Sequence, residues 1–111
     1  MNARNNLAGA YKSVGRLAEA IELYEQVLAD RVRVLGPDHP DTLNTRDDLA
    51  GAYELVGRLA EAIDEWEKLL PDCQRILGLE HPLTKRVEKN LEAAKRKMNP
   101  PDTPSPETGE D

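Results

Sequence analysis

Two histidines, a single cysteine and one adjacent pair of aspartates are the residues of this chain whose types could do chemistry. His39 and His81 each precede a proline in the related segments "LGPDHPDT" and "LGLEHPLT". As metal ligands they are poorly matched, because they hold equivalent places in successive copies of one unit and packed helices lie ~8–10 Å apart. A structural part in the turn fits better, with the imidazole or the neighbouring Asp38 accepting from the free N–H groups that open the next helix. Cys73 has no second cysteine or histidine at metal or redox spacing, which leaves it as a small, half-buried apolar residue. Asp47 and Asp48 point about 100° apart on a helix and read as surface charge, not as a general acid and base. The chain has no phosphate-cradling glycine loop and no zinc-protease helix motif. No catalytic residue, cofactor or metal is expected.

The elements that hold these residues come in copies. Shifting the 111-residue sequence by 42 positions aligns residues 1–42 with 43–84, and 24 of the 42 pairs are identical. The identities gather in "LAGAY" (Leu7–Tyr11, Leu49–Tyr53), in "VGRLAEAI" (Val14–Ile21, Val56–Ile63) and in the "LG..HP.T" connection. A third copy starts at Thr84 and stops after one helix. A tandem repeat of this length signals stacked units, none of which buries its apolar face alone.

Each copy reads as two helices. Leu7, Tyr11 and Val14 recur at helical spacing, and Gly15 supplies the left-handed residue that ends a helix. Leu17, Ile21, Tyr24, Leu28 and Leu35 form the stripe of the second helix, with Ala18 and Ala20 admitting a close neighbour. Pro40 and Pro82 suit a first helical turn, where the missing N–H costs nothing. The pattern predicts helices near 2–14, 17–34, 41–55, 59–76 and 83–97. Pro71 stands where the first copy has Ala29 and predicts a kink, or a stop and restart, near Leu70. Trp66 takes the place of Tyr24 on the core stripe.

Composition agrees with an all-α class: alanine, leucine, glutamate and arginine abound, phenylalanine is absent, and one cysteine excludes an internal disulfide. No apolar run reaches the ~20 residues of a membrane span, so a cytoplasmic setting is expected. Net charge is −6, but "NPPDTPSPETGED" holds four acids and no base, so residues 1–98 carry 15 basic against 17 acidic side chains. The expected organisation is a helical repeat domain over 1–98 (copies about 1–40 and 41–82, a terminal helix about 83–98) and a disordered acidic tail over 99–111.

The order Asn6, Leu7, Tyr11, Gly15, Ala20, Tyr24, Leu28, repeated as Asp48, Leu49, Tyr53, Gly57, Ala62, Trp66, Leu70, resembles the tetratricopeptide repeat. The 42-residue period with "LGPDHPDT" is similar to the kinesin light chain variety, which also follows nucleotide-binding regulatory domains. The resemblance covers residues 1–97. It implies a right-handed superhelix of antiparallel helix pairs, about two and a half repeats, whose first helices line a concave groove for peptides or partner proteins, with no catalysis. The chain departs from the pattern at Ala8, where a small glycine is common, and at Pro71.

On the first helices, the arc opposite the Leu7 stripe holds Asn2, Asn5, Gly9, Lys12 and Ser13, then Asn44, Asp47, Gly51, Glu54 and Leu55, then Arg86, Lys89, Ala93, Arg96 and Lys97. The resemblance places the groove at these positions. The arc passes from amide, through acidic, to basic, and Gly9 with Gly51 suggests close approach by a ligand or a helix. Asn5 and Asn44 have the donors and acceptors to hold a peptide backbone. The expected function is a protein-interaction module or scaffold. The alternatives are self-association through the N-terminal edge and a role as part of a larger nucleotide-binding regulator. Neither nucleic acid nor membrane is an expected partner, since the one basic helix lacks interleaved aromatics.

Overall fold

The computed structural model describes residues 2–99. Met1 and residues 100–111, which include nearly all of the acidic tail, lie outside the described residues. Five helices follow in order: α1 (Asn2–Ser13), α2 (Leu17–Leu35), α3 (Pro40–Leu55), α4 (Leu59–Leu77) and α5 (Pro82–Met98). Every boundary falls within one residue of the sequence expectation.

The sharp stops have local causes. Gly15 and Gly57 adopt φ of 83° and 87°, the left-handed region that a side chain would strain. That geometry turns the next N–H back onto the helix, so Arg16 donates to the Tyr11 carbonyl at 2.8 Å and Arg58 to that of Tyr53 at 2.9 Å. This is the Schellman closure of orphan carbonyls, and it folds α1 onto α2 and α3 onto α4 as antiparallel pairs. At the longer connection, His39 Nδ1 accepts the Asp41 N–H and His81 Nδ1 the Leu83 N–H, both at 3.0 Å. Pro40 and Pro82 then open α3 and α5. Both histidines are N-caps, as their place in the turn suggested.

Each helix packs on its neighbours in sequence, and α3 also touches α5. Ala8, Ala20, Ala50, Ala52, Ala62 and Ala94 are wholly buried, so small side chains set the close approaches between axes. Tyr24, Leu43, Trp66, Leu69 and Val87 fill the space between them. Ala18, expected to join this set, is exposed.

Two further expectations need correction. Among the described residues of α1 the buried one is Ala8, whereas Leu7 is 45% and the following Val14 71% exposed. Its counterpart Leu49 is buried because α3 has helices on both sides; α1 packs on α2 alone among its close neighbours. α4 also runs unbroken through Pro71. The missing N–H leaves the Glu67 carbonyl without its helical donor, but both residues are exposed and water can take that bond.

Candidate partner-binding face

The first helices of the second and third copies, α3 and α5, touch, and the polar arc read from the sequence lies partly between them. Between α3 and α5 its side chains bind one another. Arg86 Nη2 donates to Asn44 Oδ1 at 2.6 Å and Arg86 Nε to Asp47 Oδ2 at 2.9 Å. Lys97 Nζ reaches Glu54 Oε2 at 2.7 Å. The acidic second helix and the basic third helix thus neutralise each other in place, with partners 39 to 43 residues apart, close to the repeat period.

Asp47 is the hub of this contact. It is only 5% exposed, contrary to its reading as surface charge, and besides Arg86 it accepts from Trp66 Nε1 at 2.8 Å and Asn90 Nδ2 at 3.1 Å. Trp66 therefore packs in the core, 1% exposed, and orients the carboxylate from below. A buried carboxylate with three donors is fixed in position, so α3, α4 and α5 are tied at one point. Asp47 was legible only as an acid on an arc. Asn90, one residue past the 42-residue counterpart of Asp47, and the indole of Trp66 were not read as its partners.

The remaining candidates are placed as follows. Asn2 and Asn5 belong to α1, with side chains outside the described part of the structure. Lys12 is half-buried and Ser13 exposed at the end of α1. Lys89 and Arg96 are exposed on α5 and pair with no acid among the described residues. A side chain at Gly9 would meet Tyr24 Oη at an ordinary 3.8 Å, and one at Gly51 would meet nothing within 4 Å. Internal packing therefore demands neither glycine, and the adjacent-helix reason for them falls away. The tyrosine beneath Gly9 is buried, and burial with the nearby Asp48 charge pushes the Tyr24 hydroxyl up to about 12, so it stays protonated.

Outside this face the copies repeat their electrostatics. Arg16 lies over the Tyr11 ring at 4.8 Å and Arg58 over that of Tyr53 at 4.5 Å. Arg4 pairs with Asp30, and the equivalent Arg46 with Asp72 at 2.9 Å, holding both aspartates below their ordinary range. Among the described residues no group of three metal-type side chains converges, and no helix is long and apolar enough to cross a membrane.

Tandem antiparallel helix pairs packed in chain order define a helical-repeat protein. A sequence profile described as the tetratricopeptide repeat matches residues 1–65. Among solved structures the chain is similar to a Podosopora anserina putative kinesin light chain with nearly identical TPR-like repeats, at 31% identity and a TM-score of 0.80. The alignment covers 87% of this chain and 46% of that one, so the chain spans about half the length of that protein. A glutamine-to-methionine variant of the same protein aligns at 31% identity with a TM-score of 0.79. No curated protein matches. The chain belongs to the tetratricopeptide repeat family, and its copies are kinesin light chain-like. Repeats of this family generally mediate protein–protein interaction.

Proposed function

We propose that this chain is an interaction module or scaffold that holds a peptide or partner protein on the concave face of its first helices. The observation that carries the reading is the half-buried backbone at Gly51, with open space where a side chain would stand, flanked on α3 by Asp47 and Glu54, both tied to α5. Glycine costs a helix interior up to ~1 kcal/mol relative to alanine, and nothing inside the fold returns that cost. A ligand backbone lying against α3 would. Asp47 and Glu54 already have partners on α5, and Lys12, Lys89 and Arg96 are the cations along the row that pair with no acid among the described residues.

Gly51→Arg fills this space without touching the core. Captured from an extract of the source organism, a trough-bound partner is expected to be lost with this variant while helix content is kept and melting rises or stays the same. Glu22→Arg, on the exposed side of α2, should retain it. Equal capture by both variants contradicts the proposal.

One observation favours a second use. Leu7 and Val14 leave apolar surface on α1, so self-association through the N-terminal edge is the competing reading. Sedimentation across a concentration series separates the two, with a dimer that dissociates on Leu7→Gln supporting assembly and a constant monomer rejecting it.

A further inference from the structure

We propose that residues 100–111 fold back along one side of α5, with Pro100 and Pro101 against the apolar groove at its end and Asp102 and Glu107 on its unpaired cations, and that this contact competes with a ligand for the trough. Two hollows mark the track. One, of about 380 Å³, lies between Ile63 of α4 and the last turn of α5 and is lined also by Lys95, Arg96, Met98 and Asn99. The other, of about 340 Å³, lies at the first turns of α5 among Pro82, Lys85, Arg86 and Lys89. Ile63 is only partly covered, and Met98 is 52% exposed. Asn99 leaves the helical region at φ −144° and ψ 71°, and the proline that follows it disfavours a further helical turn. The chain therefore comes out of α5 at the wall of the first hollow.

Charge and spacing fix the register. Of the six cations on α5, Lys85 pairs with Glu80, Arg86 with Asp47, Lys95 with Glu67 and Lys97 with Glu54. Lys89 and Arg96 pair with no acid among the described residues, and at a spacing of one heptad they share a side of the helix. Glu92 stands between them and repels an acid. The tail matches this order: after Asp102 come Thr103, Pro104, Ser105 and Pro106, none of them charged, and then Glu107. At ~3.1 Å per residue for an extended proline-rich segment, the two acids stand ~15 Å apart. At ~1.5 Å per helical residue, Arg96 lies ~11 Å along the axis from Lys89 and ~17 Å from Lys85. Asp102 on Arg96 thus puts Glu107 at the second hollow, with the neutral stretch over Glu92. Tethering supplies a high effective concentration for the contact. Lys89 and Arg96 are also cations of the trough, so the competition, unlike the fold-back itself, rests on the trough reading.

The test uses the full chain with a nitroxide on Ser105→Cys; Cys73 is wholly buried and does not compete for the label. The comparison chain adds Asp102→Asn and Glu107→Gln, which keep the length and the prolines of the tail. In the ¹⁵N spectrum at low salt, amide signals from Lys85 to Lys89 should lose at least about twice as much intensity with the acidic tail as with the neutral one. Near 1 M salt, where the screening length falls to ~3 Å, the difference should vanish. Lys89→Gln with Arg96→Gln should abolish it too, whereas Glu92→Gln should increase it, a gain that loss of folding does not mimic. Equal losses for the two tails, or losses centred on α1, would overturn the proposal. Loss passed to a ¹⁵N chain without the nitroxide in a mixed sample would assign the contact to a second copy and overturn it as well. The neutral tail should also raise capture of a trough partner about threefold. Unchanged capture would overturn the competition, and the spectrum alone then decides the fold-back.

Discussion

The two places where one helix pair meets the next are built on the same backbone plan from different chemistry. Where α2 meets α3, Arg31 is 3% exposed, and its Nη1 donates to Thr45 Oγ1 at 2.6 Å and to the Asp41 carbonyl at 3.0 Å. Where α4 meets α5, the counterparts 42 residues on are Cys73 and Val87, both wholly buried, with the thiol pushed up to about 11 by burial. Threonine anchors the start of the following helix in both, Thr42 donating to the Gly36 carbonyl at 2.9 Å and Thr84 to that of Cys73 at 3.3 Å. A guanidinium wired to its neighbours and an apolar pair fill equivalent space. The fold needs the volume filled and the polar atoms satisfied, and is indifferent to which solution is used.

That equivalence can be broken. Arg31→Ala takes the guanidinium donor from Thr45 Oγ1 and the Asp41 carbonyl, which keeps only the Thr45 hydroxyl at 3.1 Å, and leaves a cavity; it should cost about 3 kcal/mol in urea unfolding. The double variant Arg31→Cys with Thr45→Val imports the second junction and should return to within about 1 kcal/mol of the parent. If the double variant stays as unstable as the single, the junctions are not interchangeable.

Asp47→Ala comes next, at about 2 kcal/mol, because three donors lose one acceptor. The only tryptophan reports on it directly, so the emission of Trp66 should change with this substitution and hardly at all with Arg31→Ala. His39→Ala and His81→Ala remove the same cap from the two junctions and should each cost about 1 kcal/mol. The two losses should add, the sites being far apart. Gly51→Ala runs the other way, with a gain of up to about 1 kcal/mol and weaker partner binding. The gain without the weakening would remove the trough's main support.

Acid pH gives the smallest effect. Asp30 is held below its ordinary 3.8 chiefly by Arg4 and then Arg33, and Asp72 chiefly by Arg46. A depressed carboxylate stabilises the fold fully above its unfolded value, and that share is lost as pH falls from there through the folded value. Arg46→Met should therefore flatten the acid limb of the stability curve below about pH 4 and leave the neutral region nearly unchanged, since part-exposed pairs contribute little.

What the sequence made legible was local. The helix ends follow from Gly15, Gly57, Pro40 and Pro82, each acting within a few residues of itself, and the histidine caps follow from the same turns. The repeat supplied the architecture. Periodicity along one helix could not show that Asp47 is buried, because Arg86 and Asn90 come from the next copy and Trp66 from beneath. Nor could it show Arg31 in the interior, where a charge is tolerated only through partners on α3. Leu7 was misread for the related reason that its exposure depends on a neighbouring helix, not on its own spacing. Of the candidate face, the residue types were readable and the pairing that occupies about a third of them was not.

The claim on which the functional reading rests is tested most directly by hydrogen–deuterium exchange of the full chain with and without a captured partner. Protection gained along α1 and α3, centred on the turns around Gly9 and Gly51, is the predicted result. Protection confined to the outward sides of α2 and α4, with α1 and α3 unchanged, would contradict it.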